Sequence, residues 1–233
     1  MDKLLLEKPI HAGIKWVLDH DNGPILEESA TGIFLRDDVS GAYMLSDSNK
    51  EEGRSWLLAH EEEGYPLLAI CDDVELADFA AERYGFKRHF FAWQFLYPAK
   101  TVDPPDSAMI LRTAVMDDLP FIMSVYDRVD EEEMIWTIEH ENIHFCLVPD
   151  ESGEYEIVGF GGEHPEGGIG MLEILPEYRG RGYGADLERL LIAHVLSRGD
   201  VPFSQVEPDN VVSLALHEKL GFVRSEERID WMF

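Results

Sequence analysis

Short apolar runs and helical periodicities alternate along the whole chain, the signature of an α/β protein with a mixed sheet. In the first part, Ile14, Val17 and Leu18 share one helical face, while 32–35 and 42–45 read as strands. Residues 55–62 read as a helix, 66–71 as a short buried strand, and 74–83 as a second helix. That helix runs through Tyr84-Gly85-Phe86 into an aromatic strand at 89–97. The stretch 98–106 carries Pro98, Pro104 and Pro105 with little apolar content, which marks a boundary. The pattern therefore predicts an N-terminal α/β domain over 1–100, a linker at 101–106 and a second domain over 107–233.

The second domain begins with a strand at 109–112 and a helix, capped by Met116-Asp117-Asp118, that carries Leu119, Phe121, Ile122 and Val125. A short helix at 131–141 follows, then strands at 143–148 and 154–160 joined by a turn-rich connection. Residues 167–175 form a strand that ends at Pro176. Beyond it lies the glycine-rich turn Arg179-Gly180-Arg181-Gly182-Tyr183-Gly184, then a helix over 184–196 with Leu187, Leu190, Leu191, His194 and Val195 on one face. Glycines allow positive φ and close approach of a ligand, and the first N–H groups of a helix point outward with the positive end of its dipole behind them. Such a turn suits a pyrophosphate. A strand at 202–206, a helix capped by Asn210 with Val212, Leu216 and Leu220 aligned, and a final strand after Gly221-Phe222 complete the chain.

Laid without gaps, 74–97 covers 210–233 and matches Glu82 to Glu218, Gly85 to Gly221, Phe86 to Phe222 and Arg88 to Arg224. The shared order of helix, Gly-Phe and aromatic strand suggests a tandem duplication. The first copy has no Arg-x-x-Gly-x-Gly turn.

Composition narrows the function classes. Hydrophobic content of 45% is that of a folded globular chain. No apolar run approaches the roughly 18 residues that span a bilayer, and MDKLLLEKPI shows no signal core, so a cytoplasmic location is expected. A formal charge of −28 repels nucleic acid and anionic membranes. Cys71 and Cys146 stand alone in apolar runs without metal-ligand spacing, so free buried thiols and no metal site are expected.

Leu175-Pro176-Glu177-Tyr178-Arg179-Gly180-Arg181-Gly182-Tyr183-Gly184, followed by Asn210, Ser213 and Leu220-Gly221-Phe222, resembles the GNAT superfamily of acyl-CoA-dependent N-acyltransferases, in the branch similar to glycine N-acyltransferases. The family motif Arg/Gln-x-x-Gly-x-Gly/Ala stands as Arg179, Gly182 and Gly184. The resemblance covers 107–233, and 1–100 only as a degenerate second copy. It implies a GNAT fold with splayed central strands in the C-terminal domain and acetyl-CoA as co-substrate. The coenzyme pyrophosphate would lie on Arg179, Gly180, Arg181, Gly182, Tyr183 and Gly184. Its pantetheine arm would pair with backbone at Ile174 and Leu175, with Asn210 and Ser213 nearby.

Amide formation from a thioester needs a base for the amine and an acid for the departing thiolate. In the family a tyrosine four residues before Gly-Phe often serves as acid; here that position is His217, which could equally be a packing histidine. The family's glutamate base aligns with Gly168, among Gly167, Gly168 and Gly170. Glu173 is the first candidate base, although strict alternation turns it away from the face of position 168. Glu166 and His164 share that parity and are the alternatives. The glycines could instead enlarge an acceptor pocket. The expected reaction moves an acetyl group from acetyl-CoA to a small-molecule primary amine by direct attack in a ternary complex. A longer-chain amino-acid N-acyltransferase and a non-catalytic acyl-CoA-binding module are the rivals, and a homodimer is left open. The acidic surface favours a cationic acceptor.

Overall fold

The computed structural model describes residues 6–233. Residues 1–5, part of the stretch read as lacking a signal core, lie outside the described residues. In chain order the elements are α1 (Ala12–Asp19), β1 (Ile25–Glu28), β2 (Gly32–Arg36), β3 (Ala42–Asp47), α2 (Lys50–Ala59), β4 (Leu67–Cys71), α3 (Val74–Tyr84) and β5 (His89–Leu96). Then come β6 (Ile110–Thr113), α4 (Leu119–Val125), α5 (Glu131–Glu139), β7 (Ile143–Pro149), β8 (Tyr155–Glu163) and β9 (Ile169–Ile174). The last are α6 (Tyr183–Ser197), β10 (Phe203–Val206), α7 (Val211–Leu220) and β11 (Val223–Met232). The class is mixed α/β. Two compact units form, one of residues up to Leu96 together with Phe203–Phe233, the other Tyr97–Pro202.

The strands of the first unit lie in the order β1-β2-β3-β4-β11-β5-β10, with β3 and β4 parallel and the other neighbours antiparallel. Both sheet faces are covered, which is why β3 is an unbroken buried run. Ile33, Leu35, Met44, Ala69 and Trp231 pack toward Ile10 and Ile14, while Phe34, Leu45, Leu68, Ile70 and Met232 pack toward Trp56 and Leu76. The alternation along each strand follows from the period of two.

The two stretches laid over each other, 74–97 and 210–233, share a local pattern. Each half is a helix closed by a left-handed glycine, Gly85 at φ 68° and Gly221 at φ 90°, leading into a strand. The two strands exchange places. β5 does not pair with β4, the strand before α3, and β11 does not pair with β10, the strand before α7. Instead β11 lies between β4 and β5, and β5 between β11 and β10. The grouping thus departs from a contiguous division at 101–106: β10, α7 and β11 join the first unit because β11 finds its ladder partners there.

In the second unit β6, β7, β8 and β9 form an antiparallel meander. Helices α4 and α5 supply Ile122, Met134 and Ile138 to a core with Phe145 and Phe160. On the opposite face Leu187 and Leu191 of α6 close on Gly161, where an added Cβ would sit 3.0 Å from Leu191. The stretch read as a linker is pinned at its end: Asp186 on α6 accepts N–H bonds from Asp106 (2.8 Å) and Ser107 (3.0 Å).

Three local expectations change. β1 carries Ile-Leu-Glu-Glu, a half-exposed pattern with no alternation to reveal it. α2 begins at Lys50 rather than 55, taking in Gly53 despite its poor helix propensity, at a point where Leu45 and Leu76 leave room for no larger side chain without adjustment. On α7 Val212 is 76% exposed and His217 is buried, so the expected Val212–Leu216–Leu220 stripe is not the inward face. Cys71 and Cys146 are free and buried, and burial pushes both thiols up to about 12. Among the described residues no helix is long and apolar enough to cross a membrane.

Glu188 on α6 is 1% exposed, and burial pushes its carboxyl up from 4.5 to about 8. Between those values the folded chain keeps a proton that the unfolded chain has released, so stability falls as pH rises through that window. The expected outcome is that Glu188→Gln matches the wild type near pH 4.5 and exceeds it at pH 8. The gap should grow by at most about 1.4 kcal/mol per pH unit, as read by urea unfolding between pH 4 and 8.

Candidate functional site

At the C-terminal end of β9 the chain passes through a 3-10 turn at Pro176–Tyr178 to Arg179, then through Gly180 at φ 76° and Gly182 at φ 88°. Gly182 is the N-cap of α6, in the left-handed region that glycine adopts without penalty. A Cβ built on either glycine would meet no atom within 4 Å. Backbone conformation, not crowding, therefore demands glycine there, and the space above the turn is open. The first N–H groups of α6 have no intrahelical acceptor and carry the positive end of its dipole. Arg181 donates to the Glu177 carbonyl at 3.0 Å and lies over the Tyr178 ring.

The strand before the turn is not regular. Gly162 of β8 stands opposite Gly170 and Phe160 opposite Glu173, so β9 holds one extra residue in that interval, and Met171 adopts φ 52°. This is a β-bulge. Residues 160 and 162 share a face of β8, and cross-strand partners point the same way, so Gly170 and Glu173 also share a face. The bulge overturns the strict alternation assumed from sequence: Glu173 returns to the parity of Gly168 and Gly170. It is half-buried, and one carboxylate oxygen accepts from the Arg179 guanidinium at 2.5 Å. Arg179 Nε also donates to the Ile174 carbonyl at 2.8 Å. The Leu175 N–H is committed to the Val158 carbonyl of β8 at 2.9 Å, so of the two expected backbone partners Ile174 is the one directed away from β8.

The glycine at 170 has a steric reason. A Cβ there would lie 2.5 Å from His164 Nε2. The imidazole thus covers Gly170 on the face that Glu173 shares, and its Nδ1 bonds Glu133 on α5 at 3.0 Å. Burial lowers the pKa of His164, but the Glu133 hydrogen bond and the charges of Glu166 and Glu133 outweigh it, and the net shift is upward. Tyr126, whose ring meets Phe160 edge-on at 5.8 Å, is pushed up to about 12, chiefly by burial, so its hydroxyl stays protonated. Neither Glu133 nor Tyr126 was picked out from sequence. Glu133 sits in an acidic run that reads as a helix start, and Tyr126 follows α4 with no motif around it.

The other expected residues belong to the first unit. Asn210 caps α7, its side-chain oxygen accepting from the Ser213 N–H at 3.1 Å. His217 is buried between Phe95 and Phe222. Its Nδ1 donates to the Ser213 carbonyl at 2.8 Å, which leaves Nε2 to accept from the Ser204 hydroxyl at 2.5 Å. Burial lowers its pKa despite that carbonyl. A neutral ring with both nitrogens engaged in an aromatic box is what a packing histidine looks like.

The Acetyltransferase (GNAT) family model matches residues 111–222, a span that takes in the bulged strand, the glycine turn and Gly221-Phe222. Among curated proteins none matches the chain. A Drosophila protein solved by a structural genomics consortium is similar in structure, with a TM-score of 0.63 at 14% identity over 97% of this chain and 89% of its own. A GCN5-related N-acetyltransferase from Kribbella flavida gives 0.58 at 10% identity, covering 96% of this chain and 93% of its own. A putative GNAT-family acetyltransferase from Novosphingobium aromaticivorans gives 0.54 at 16%, covering 97% and 96%. At these identities the likeness is one of fold.

Gly170→Ala should push the His164 ring off Glu133. Because that bond raises the His164 pKa, NMR titration of the variant should show the pKa moving down toward 6.5.

Proposed function

We propose that the second unit carries an acyl-CoA-dependent N-acyltransferase site that moves an acetyl group to a small-molecule primary amine. The carrying observation is the open glycine turn at the N-terminus of α6, set directly after a bulged strand that puts Glu173 and the His164-covered Gly170 on one face. The residues present suit coenzyme A: helix N–H groups and the flanking Arg179 and Arg181 suit a pyrophosphate, and the space over Gly180 and Gly182 admits it. The thioester supplies an activated carbonyl and a thiol leaving group.

The chain's own residues do the rest. Glu133 holds His164 at Nδ1, so Nε2 is the atom that takes the proton from the attacking ammonium or amine. Glu173, fixed by Arg179, is a second carboxylate on that face and attracts a cation. Glu131, Glu132 and Glu133 in the first turn of α5 extend the negative surface. The Ile174 backbone, directed away from β8, is the place for an N–H donor to a developing oxyanion. His217 supports α7 by packing. The paired helix-Gly-strand halves are read as a tandem duplication, and kinship with glycine N-acyltransferases is tested by including glycine among the acceptors.

Thiol release from acetyl-CoA and longer acyl-CoAs should be measured against a panel of primary amines. Amine-dependent release is expected, fastest with acetyl-CoA and a cationic acceptor; no release with any pair would sink the proposal. His164→Ala should lower kcat by roughly 10²- to 10⁴-fold, the usual weight of a general base. Since the base works deprotonated and its pKa is raised, kcat should climb with pH through a value above 6.5. Glu133→Gln should shift that limb downward.

A further inference from the structure

Proton transfer at His164 gives no part to Tyr126. The backbone of Tyr126 closes α4, its N–H donating to the Ile122 carbonyl at 2.9 Å where the chain leaves the helix. The ring meets Phe160 edge-on at 5.8 Å, and Phe160 stands opposite Glu173 in the β8–β9 ladder. Cross-strand partners point the same way, so the phenol lies on the face that carries Glu173, Gly170 and the His164 ring.

Tyr126 is 8% exposed. Among the described residues its hydroxyl has no hydrogen-bond partner, yet unlike the sealed interior oxygens of Asp47 and Asp73 it keeps contact with the surface. A ring held by packing, with its polar end left at an opening, can bond a molecule that arrives there. Leaving such a donor unpaired costs free energy. The surrounding charges narrow the choice of partner. Burial is the first cause of the raised phenol pKa; Arg128 acts downward, and Glu133, Glu173 and Asp127 act upward. The hydroxyl thus stays a donor, in surroundings where one guanidinium faces three carboxylates. Its partner must accept a hydrogen bond without bringing negative charge. A hydroxyl oxygen meets both conditions, whereas a carboxylate or phosphate meets only the first.

We propose that Tyr126 is a specificity-determining residue of the acceptor site, its hydroxyl donating to the hydroxyl oxygen of a short amino alcohol whose amine meets His164. The proposal rests on the acyltransferase reading of the second unit and names what that reading leaves open, the group the acceptor carries beside its amine. A site that bonds a substrate hydroxyl rejects the analogue with a methyl group in its place, because the donor is then left unpaired.

The test compares ethanolamine with propylamine, which has a methyl group in place of the hydroxyl, as acceptors for acetyl-CoA in the wild type and in Tyr126→Phe. The ratio of kcat/KM for ethanolamine to that for propylamine should fall about tenfold in the variant, the weight of one hydrogen bond to a largely buried group. Taking the ratio within each protein cancels the difference in amine basicity, and a purely structural role for Tyr126 would slow both amines alike. In the unaltered protein, NMR titration with ethanolamine should shift the Tyr126 ring resonances more than titration with propylamine. An unchanged ratio overturns the proposal, whatever happens to the rates themselves. So do equal ring shifts with the two amines, and turnover confined to amines other than ethanolamine. Absence of thiol release with every amine would overturn the acyltransferase reading as well, which keeps the two failures apart.

Discussion

The last strand of the chain, β11, holds the first unit together. It completes ladders on both of its edges, with β4 from Ile229 to Met232 and with β5 over the same residues. Its Asp230, fully buried, accepts from Arg228 at both oxygens, and His89 of β5 bonds one of them at 2.9 Å. A buried carboxylate is tolerable only with such partners, and removing one of them leaves a charge that the interior cannot solvate. Because β11 pairs with β4, far from it in sequence, the sheet depends on a long-range pairing of the kind that slows folding.

That closure decides where the chemistry-bearing residues lie. The glycine turn, Glu173 and His164 belong to the second unit, whereas Asn210, Ser213 and His217 travel with β10 and α7 into the first. His217 there lies against Phe95 and Phe222. In the second unit a single extra residue in β9 reorients Glu173, and the missing side chain at Gly170 makes room for His164. The facing of Glu173 and the position of His164 thus depend on one backbone irregularity and one absent Cβ.

Acidity does different work in the two units. Around α5 it lies on the surface beside His164 and raises that ring's pKa. At the ends of β3 and β4 it is buried, and Asp73 there caps α3. The overall charge of −28 announces neither arrangement.

Much of this was legible in the sequence. Apolar periodicity located most of the elements, Asn210 read correctly as a cap, and the Arg179–Gly184 turn stood out because positive φ at 180 and 182 restricts those positions to glycine. Local backbone preference and side-chain period determine such features, and both are written residue by residue. The exchange of β5 and β11, the side on which Glu173 emerges, the burial of His217 and the pairing of His164 with Glu133 were decided only by the tertiary structure. Each depends on which distant strand or helix supplies the neighbouring hydrogen bonds. A one-residue bulge reverses every facing predicted by alternation without changing any local propensity.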